Sequence, residues 1–388
     1  MSIIKHISFK SVAVLGALSL MFVSCEQQEE PIPVLSFKST MITAKGGTQP
    51  VTVAAQGSWA LSFDPESASE WLSFSQYEGT GVVAVTLTVT PNEADDIRTA
   101  AVVLTTPNHK ITTVLTQGSG SMPAQPLWME LPLLDQEKLG FFTHSMDGGK
   151  YINKEQSGVR NWSFYYDYDA YVSWWVAYPL NSGLIGKGSR TNSWQATDPL
   201  LPASAVCNLS NGSYGGGWTR GHQIPSADRL NNAANISTFY PTNMTPQDYD
   251  FNGGDNFSGI WVRLENQVRT YATKNTCDTL YVVTGADVRN SKTWSGKNGG
   301  HAAKVPTHYY KALLKKTKGT NPTYSAVGFY IPHSKSVAGD DFMDYACSID
   351  ELEEKSGVDF FASLAVFLGN DKAQEIEAAD PTTTLKNW

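Results

Sequence analysis

The spacing of apolar positions changes character along the chain. Between Ser11 and Val23 it is one apolar run behind Lys5, His6 and Lys10. That run is too short to span a bilayer as a permanent helix, and it predicts an export signal at residues 1–24. From Pro33 to Gly118 the pattern turns to short alternating or apolar stretches, VTVAA, WLSFS, VVAVTLTVT, AAVVLTT and ITTVLTQG, parted by turn clusters such as Lys45-Gly46-Gly47 and Pro107-Asn108. Strands of this length and spacing predict an all-β, immunoglobulin-like sandwich of two sheets. SGSMPAQP, residues 119–126, is small, polar and proline-containing, and predicts a linker between domains at 33–118 and 127–388.

The second domain mixes periods. NWSFYYDYDAYVSWWVAYPL predicts an aromatic strand pair, and TLYVVTGADV, VPTHYYKALLKK and SAVGFYIP predict further strands. Phe239 and Tyr240 are expected to lead a strand into Asn243. Ile260, Leu264 and Val268 fall on one helical face, so a helix is expected to begin near Ile260. Ile349, Leu352 and Glu353 keep helical spacing up to Gly357, a C-cap residue. The domain is therefore α+β.

Composition bounds what such a chain can do. With 388 residues, 41% hydrophobic and 17% charged, it is long enough for two or three domains and is globular. A net charge of −8 excludes retention of nucleic acid by a global positive field, while leaving room for a local basic cleft. Cys207, Cys277 and Cys347 are an odd set, open to one pair and a free thiol or to no pair. No two are close enough in sequence for a zinc site.

The chemistry concentrates between Trp218 and Glu265. His222 can take a proton from water near neutrality. Beside it, Arg220 offers a planar fork to a phosphate. Asn252 and Asn256 carry hard carbonyl oxygens suited to a cation that keeps most of its water. Glu265 stands one turn after Trp261 and can face the same cleft, with an ion pair to Arg269 as the bland alternative. In the first domain Trp59 and Trp71 are read as core aromatics, with ligand stacking as their alternative.

The pieces TRGHQIP, TNMTPQ, FNGG and WVRLE, in this order, resemble the DNA/RNA non-specific endonucleases of the ββα-metal class. The resemblance implies a central antiparallel sheet and metal-assisted phosphodiester hydrolysis in DNA and RNA with Mg²⁺, or Mn²⁺ as the alternative ion. It assigns His222 as general base and Arg220 to the phosphate. Asn243 is to orient the histidine and substrate, Asn252 to hold the metal, and Glu265 to hydrogen-bond metal-bound water. Arg190, in SRTNSWQATDPLL, matches an arginine near the scissile phosphate, while Asp228 and Arg229 are implied to be scaffold. Two departures stand out. Thr219 replaces the usual Asp, and about five extra residues follow Asn252. Counted forward from Gln247 the metal position falls on Asn252, and counted back from Trp261 on Phe257, beside Asn256, which is the second candidate ligand and otherwise a helix N-cap. His301 and His308 match no functional position.

Residues 33–118 also resemble the BACON domain through Trp59, Trp71-Leu72, Gly79, TVTPN, Arg98 and Gln117-Gly118. FVSC resembles a lipobox, which implies an acylated Cys25, an acidic tether at 25–32 and an outer-membrane lipoprotein facing the periplasm or the cell surface. A competing reading keeps the anchor but makes the protein a surface glycan binder whose second domain has lost activity.

Overall fold

The computed structural model describes residues 31–94, 96–120, 125–134, 139–146, 159–206, 214–296 and 302–388. The expected export segment, Cys25, Cys207 and His301 lie outside them. Contacts divide the chain into two compact units. One takes the residues up to Lys38 with Thr48–Thr88 and Ala101–Thr113, and the other takes Ser39–Gly47, Val89–Ala100 and Val114–Trp388.

The alternating stretches of the first domain become β1 (Val34–Phe37), β2 (Met41–Ile42), β3 (Gly47–Asp64), β4 (Leu72–Phe74), β5 (Glu78–Val89), β6 (Arg98–Thr105) and β7 (Lys110–Gln117). The two sheets expected of them run into one another along β3, which is 18 residues long. Its first half pairs with β1, Val51 opposite Phe37, and its second half with β6, Ala60 opposite Thr105. Trp59 is 3% exposed, so it is a core aromatic and not a stacking surface. Gly79 makes room for it, since a Cβ there would lie 2.5 Å from the indole.

The second domain is built on a seven-stranded antiparallel sheet. Its strands are β8 (Leu139–Ser145), β9 (Arg160–Asp167), β10 (Val172–Leu180), β13 (Cys277–Asp287), β16 (His308–Thr317), β17 (Tyr324–Pro332) and β18 (Ala346–Cys347), ordered β18-β17-β16-β13-β10-β9-β8. Two short pairs stand apart, β11 (Trp218–His222) with β12 (Met244–Asp248) and β14 (Thr293–Trp294) with β15 (Ala303–Lys304). Because side chains alternate across a strand, the sheet feeds two cores. Phe164, Val176, Tyr178, Val282 and Leu313 pack one way, and Tyr165, Trp175, Ala177, Val283 and Leu314 the other.

The helices are α1 (Ser182–Ile185), α2 (Asn232–Ser237), α3 (Tyr249–Asn252), α4 (Ile260–Thr273), α5 (Ile349–Ser356), α6 (Leu364–Leu368), α7 (Asn370–Glu377) and α8 (Pro381–Lys386). The first core takes Ile260, Trp261, Leu264 and Val268 of α4, the stripe read from the sequence. Each such buried side chain contributes roughly 1.5–3 kcal/mol. The second takes Ile349 and Leu352 of α5, which starts in a capping box of Ser348 and Glu351 and ends at Gly357 with φ 70°. Cys277 and Cys347 are free and buried.

One local expectation fails. Pro241–Asn243 forms a single tight helical turn, and the strand begins only at Met244. Pro241 occupies the first position of that turn, where its fixed φ favours the helical start over a strand.

Candidate active site

The β11–β12 hairpin and α4 form a ββα unit on the first face of the sheet. Thr219 pairs with Gln247 and His222 with Met244. Gly221 is required where the hairpin meets α3: a Cβ there would stand 2.7 Å from both Cβ and Oε1 of Gln247. With that space open, Gln247 lies across the hairpin and its Oε1 accepts a hydrogen bond from Asn252 Nδ2.

A cleft of about 500 Å³ opens beside this unit, lined by Arg190, Trp194, Thr219, Arg220, His222, Asn252, Phe257, Glu265 and Arg269, among others. Five residues singled out in the sequence, Arg190, Arg220, His222, Asn252 and Glu265, thus meet in one cavity. Asn243 does not reach it. Fully buried, Asn243 accepts from Ile224 N at 2.9 Å and donates to the Ile224 and Thr238 carbonyls at 2.9 and 2.8 Å. It clamps the chain just after His222 and does not line the cleft. Asn256 is exposed and outside the cleft, and the N-cap of α4 is Gly259, so neither reading of Asn256 holds.

His222 is 9% exposed, with Trp194 and Phe239 edge-on to its ring at 5.6 and 5.4 Å. Burial first, then the charges of Arg190 and Arg220, push its pKa down to about 3, against a hydrogen bond to the Arg220 backbone. A carbonyl can only accept, so that bond is donated by the ring. Nε2 is buried without a protein partner, which assigns the donor to Nδ1 and leaves Nε2 as the basic lone pair.

The Arg220 guanidinium lies 3.7 Å from the centre of the Trp194 ring, and its Nε and Nη1 are buried without partners in the protein. Arg190 is exposed at the cleft, where Asn192 Oδ1 at 2.7 Å and Ser226 Oγ at 2.8 Å hold it. Both arginines have lowered pKa values, chiefly from burial.

Glu265 is raised toward neutrality by burial, with Lys311 and Arg269 opposing. The ion pair with Arg269 is not formed. Arg269 turns to Asp228 Oδ1 at 2.8 Å, and Asp228 also accepts from Tyr178 at 2.8 Å. Arg229 is fully buried and donates to Asn161 Oδ1, Asp228 O, Asn161 O and Pro179 O, so both residues are scaffold as expected.

Among the described residues no group of three or more His, Cys, Asp and Glu could hold a metal. The Asn252 amide still suits one hydrated cation: its nitrogen is committed to Gln247, which turns the carbonyl oxygen into the free end. Hard cations such as Mg²⁺ are commonly bound through one or two protein oxygens and several waters. Thr219 lines the cleft and brings no carboxylate to it.

Three participants escaped the sequence reading. Trp194 carries the Arg220 stack, Phe257 stands at the rim with 76% exposure, and Lys311 is buried behind Glu265, donating to Thr284 Oγ1 at 2.7 Å. Trp194 left a signal as the tryptophan that follows Arg190 in the matched motif, Phe257 as the position reached by counting back from Trp261, and Lys311 as a charge inside the apolar strand run HYYKALL.

Comparison with known proteins places the chain in a family. The profile described as DNA/RNA non-specific endonuclease matches residues 149–367, and that of the BACON domain matches 61–118. Relatives include the mitochondrial nuclease EXOG of Xenopus laevis, 28% identical over 59% of this chain and 62% of that one. They also include the nuclease of Nostoc sp., 30% identical over 49% of this chain and 67% of that one, and the nuclease of Serratia marcescens, 29% over 49% and 68%. The chain therefore spans about three fifths of the Xenopus relative's length. With a family profile covering residues 149–367 and the ββα unit in place, this chain belongs to the DNA/RNA non-specific endonuclease family.

Proposed function

We propose that the cleft hydrolyses phosphodiester bonds of DNA and RNA without sequence preference, with Mg²⁺ as cofactor and Mn²⁺ as the alternative. The observation that carries this is the convergence of His222 Nε2 with Arg220 Nε and Nη1, all buried and all without a partner in the protein, on residues of one cleft. Buried polar atoms left unpaired are costly; an anionic ligand satisfies the two arginine donors here, and a water donating to Nε2 satisfies the histidine.

His222 Nε2 takes the proton of the attacking water. Its low basicity in the free protein owes part to Arg190 and Arg220. A phosphate between those two cations offsets their charge, so the imidazole becomes more basic when substrate is present. Arg220, its plane fixed on Trp194, and Arg190, tied to Ser226, meet the charge that grows on the phosphate oxygens. Glu265 is placed to accept hydrogen bonds from water in the cleft. A divalent ion held by Asn252 would supply neutralisation of the phosphate and of the departing oxygen.

The rest of the reading concerns delivery. The segment before Cys25 directs export, acylation of Cys25 anchors the chain to the outer membrane, and the N-terminal domain contacts glycans. This part rests on the sequence pattern alone. Replacing Cys25 with Ser should move the protein out of the membrane fraction.

The decisive experiment incubates the mature protein with plasmid and Mg²⁺, with and without chelator, beside a His222→Ala variant. General-base removal typically costs about 10²–10⁴-fold. Undiminished cleavage by the variant would reject His222 as the base. No cleavage by the wild type would favour the glycan-binding reading, for which Thr219 is the supporting observation.

A further inference from the structure

We propose that Phe257 is a base-stacking subsite, taking the nucleobase beside the scissile phosphate from a single-stranded or locally unpaired substrate. The proposal deepens the nuclease reading and rests on it.

Phe257 breaks two rules at once. It is 76% exposed, although a phenyl ring gains by burial. Its φ is 53°, in the left-handed region where a bulky residue is a true outlier. Asn192, on the same cleft, shares such a φ at 52°, but asparagine tolerates it. Backbone strain of this kind persists only where the surroundings over-determine it, and it gathers at functional sites.

The surroundings here are over-determined. Gly254 N donates to Tyr249 O at 2.8 Å, and Ser258 N and Gly259 N both donate to Gly253 O. Tyr249 Oη donates to Asp255 Oδ1 at 2.8 Å, and Arg263 Nε to Ser258 O at 2.8 Å. Gly259 seals the loop, since a Cβ there would stand 2.4 Å from the Asp250 carbonyl oxygen. The loop is thus a built feature that holds the ring out at the mouth of the cleft.

Chemistry then selects the ligand. Of the two aromatic residues lining the cleft, Trp194 has its face taken by the Arg220 guanidinium at 3.7 Å. Phe257 is left as the free π-face on the same cavity as the phosphate-binding arginines. Every nucleobase has a π-face, so such a platform grips bases without reading sequence. A base inside a duplex is already stacked on its neighbours and must leave the stack to use it.

The test uses a single-stranded oligonucleotide with one cleavable linkage, the others being methylphosphonates, flanked either by bases or by abasic sites. Phe257→Ala should lower kcat/KM on the base-flanked strand by about 10-fold or more, a typical worth for one base stack. The abasic strand should change less than twofold, and Phe257→Trp should restore the loss. Phe257→Gly, which suits the left-handed backbone, should hold or raise the Tm while losing the same activity. Equal losses on both strands, or no loss on either, would overturn the subsite while leaving the nuclease reading intact. Failure of the wild type to cleave any strand, or plasmid, would overturn both.

Discussion

Gln247 holds Asn252: its side-chain oxygen accepts the Asn252 amide proton across the end of the hairpin, and it can do so only because residue 221 has no Cβ. The glycine between Arg220 and His222 therefore serves the proposed metal ligand, Asn252, as well as the hairpin. In Gly221→Ala the new methyl would sit 2.7 Å from Gln247 Cβ and Oε1, and the glutamine must move. Displacements of about 1 Å at a catalytic constellation cost on the order of 10²-fold. The variant should fold, lose about that much activity, and need more Mg²⁺ for half-maximal rate. An unchanged Mg²⁺ requirement would separate Gln247 from metal binding.

The buried histidine sets a pH dependence of stability. Its folded pKa of about 3 lies below the ordinary value of 6.5, so the folded protein keeps the ring neutral while the unfolded chain takes up a proton. Stability from this group is fully present above pH 6.5 and is lost as pH falls from there toward 3. Between pH 6.5 and 4.5 the loss is on the order of 2–3 kcal/mol. Glu265, with a raised pKa, acts in the opposite sense over part of this window, and it is present in both proteins when wild type is compared with His222→Gln. Thermal melts from pH 7.5 to 4.5 should show the steeper fall in wild type. Parallel curves would mean that the ring is not held neutral.

Arg220 and His222 were legible together because they sit two apart on one strand and so on one face of it, and Asn252 because it closes the helical turn that follows the paired strand β12. The helical stripe of α4 was legible for the same local reason. What stayed hidden depends on partners far along the chain. Arg269 looked free to pair with Glu265 one turn away, yet its partner is Asp228, 41 residues distant. Asn243 read as a site residue, but its side chain is consumed by backbone groups of Ile224 and Thr238. The choice between Asn252 and Asn256 turned on where the extra residues bulge, and only the packing of Gly253 and Gly259 fixes that. Strand β8 and helices α6–α8 carry too short or too irregular a pattern to be seen.

The Arg220 stack on Trp194 separates orientation from charge. A guanidinium 3.7 Å from a ring centre gains about 0.5–2 kcal/mol when partly desolvated, and the stack also fixes the plane of the fork. Trp194→Leu removes the face but keeps the cation, so affinity for an uncleavable phosphorothioate strand should fall by up to about 30-fold. The salt dependence of binding should not change, because the number of phosphates neutralised is the same. Arg220→Met removes the charge itself, so the slope of log K against log salt should drop by about 0.7–0.9. If Trp194→Leu lowered the slope as much as Arg220→Met, the indole would be holding the arginine in the cleft at all, and the stack would count as anchoring and not as orientation.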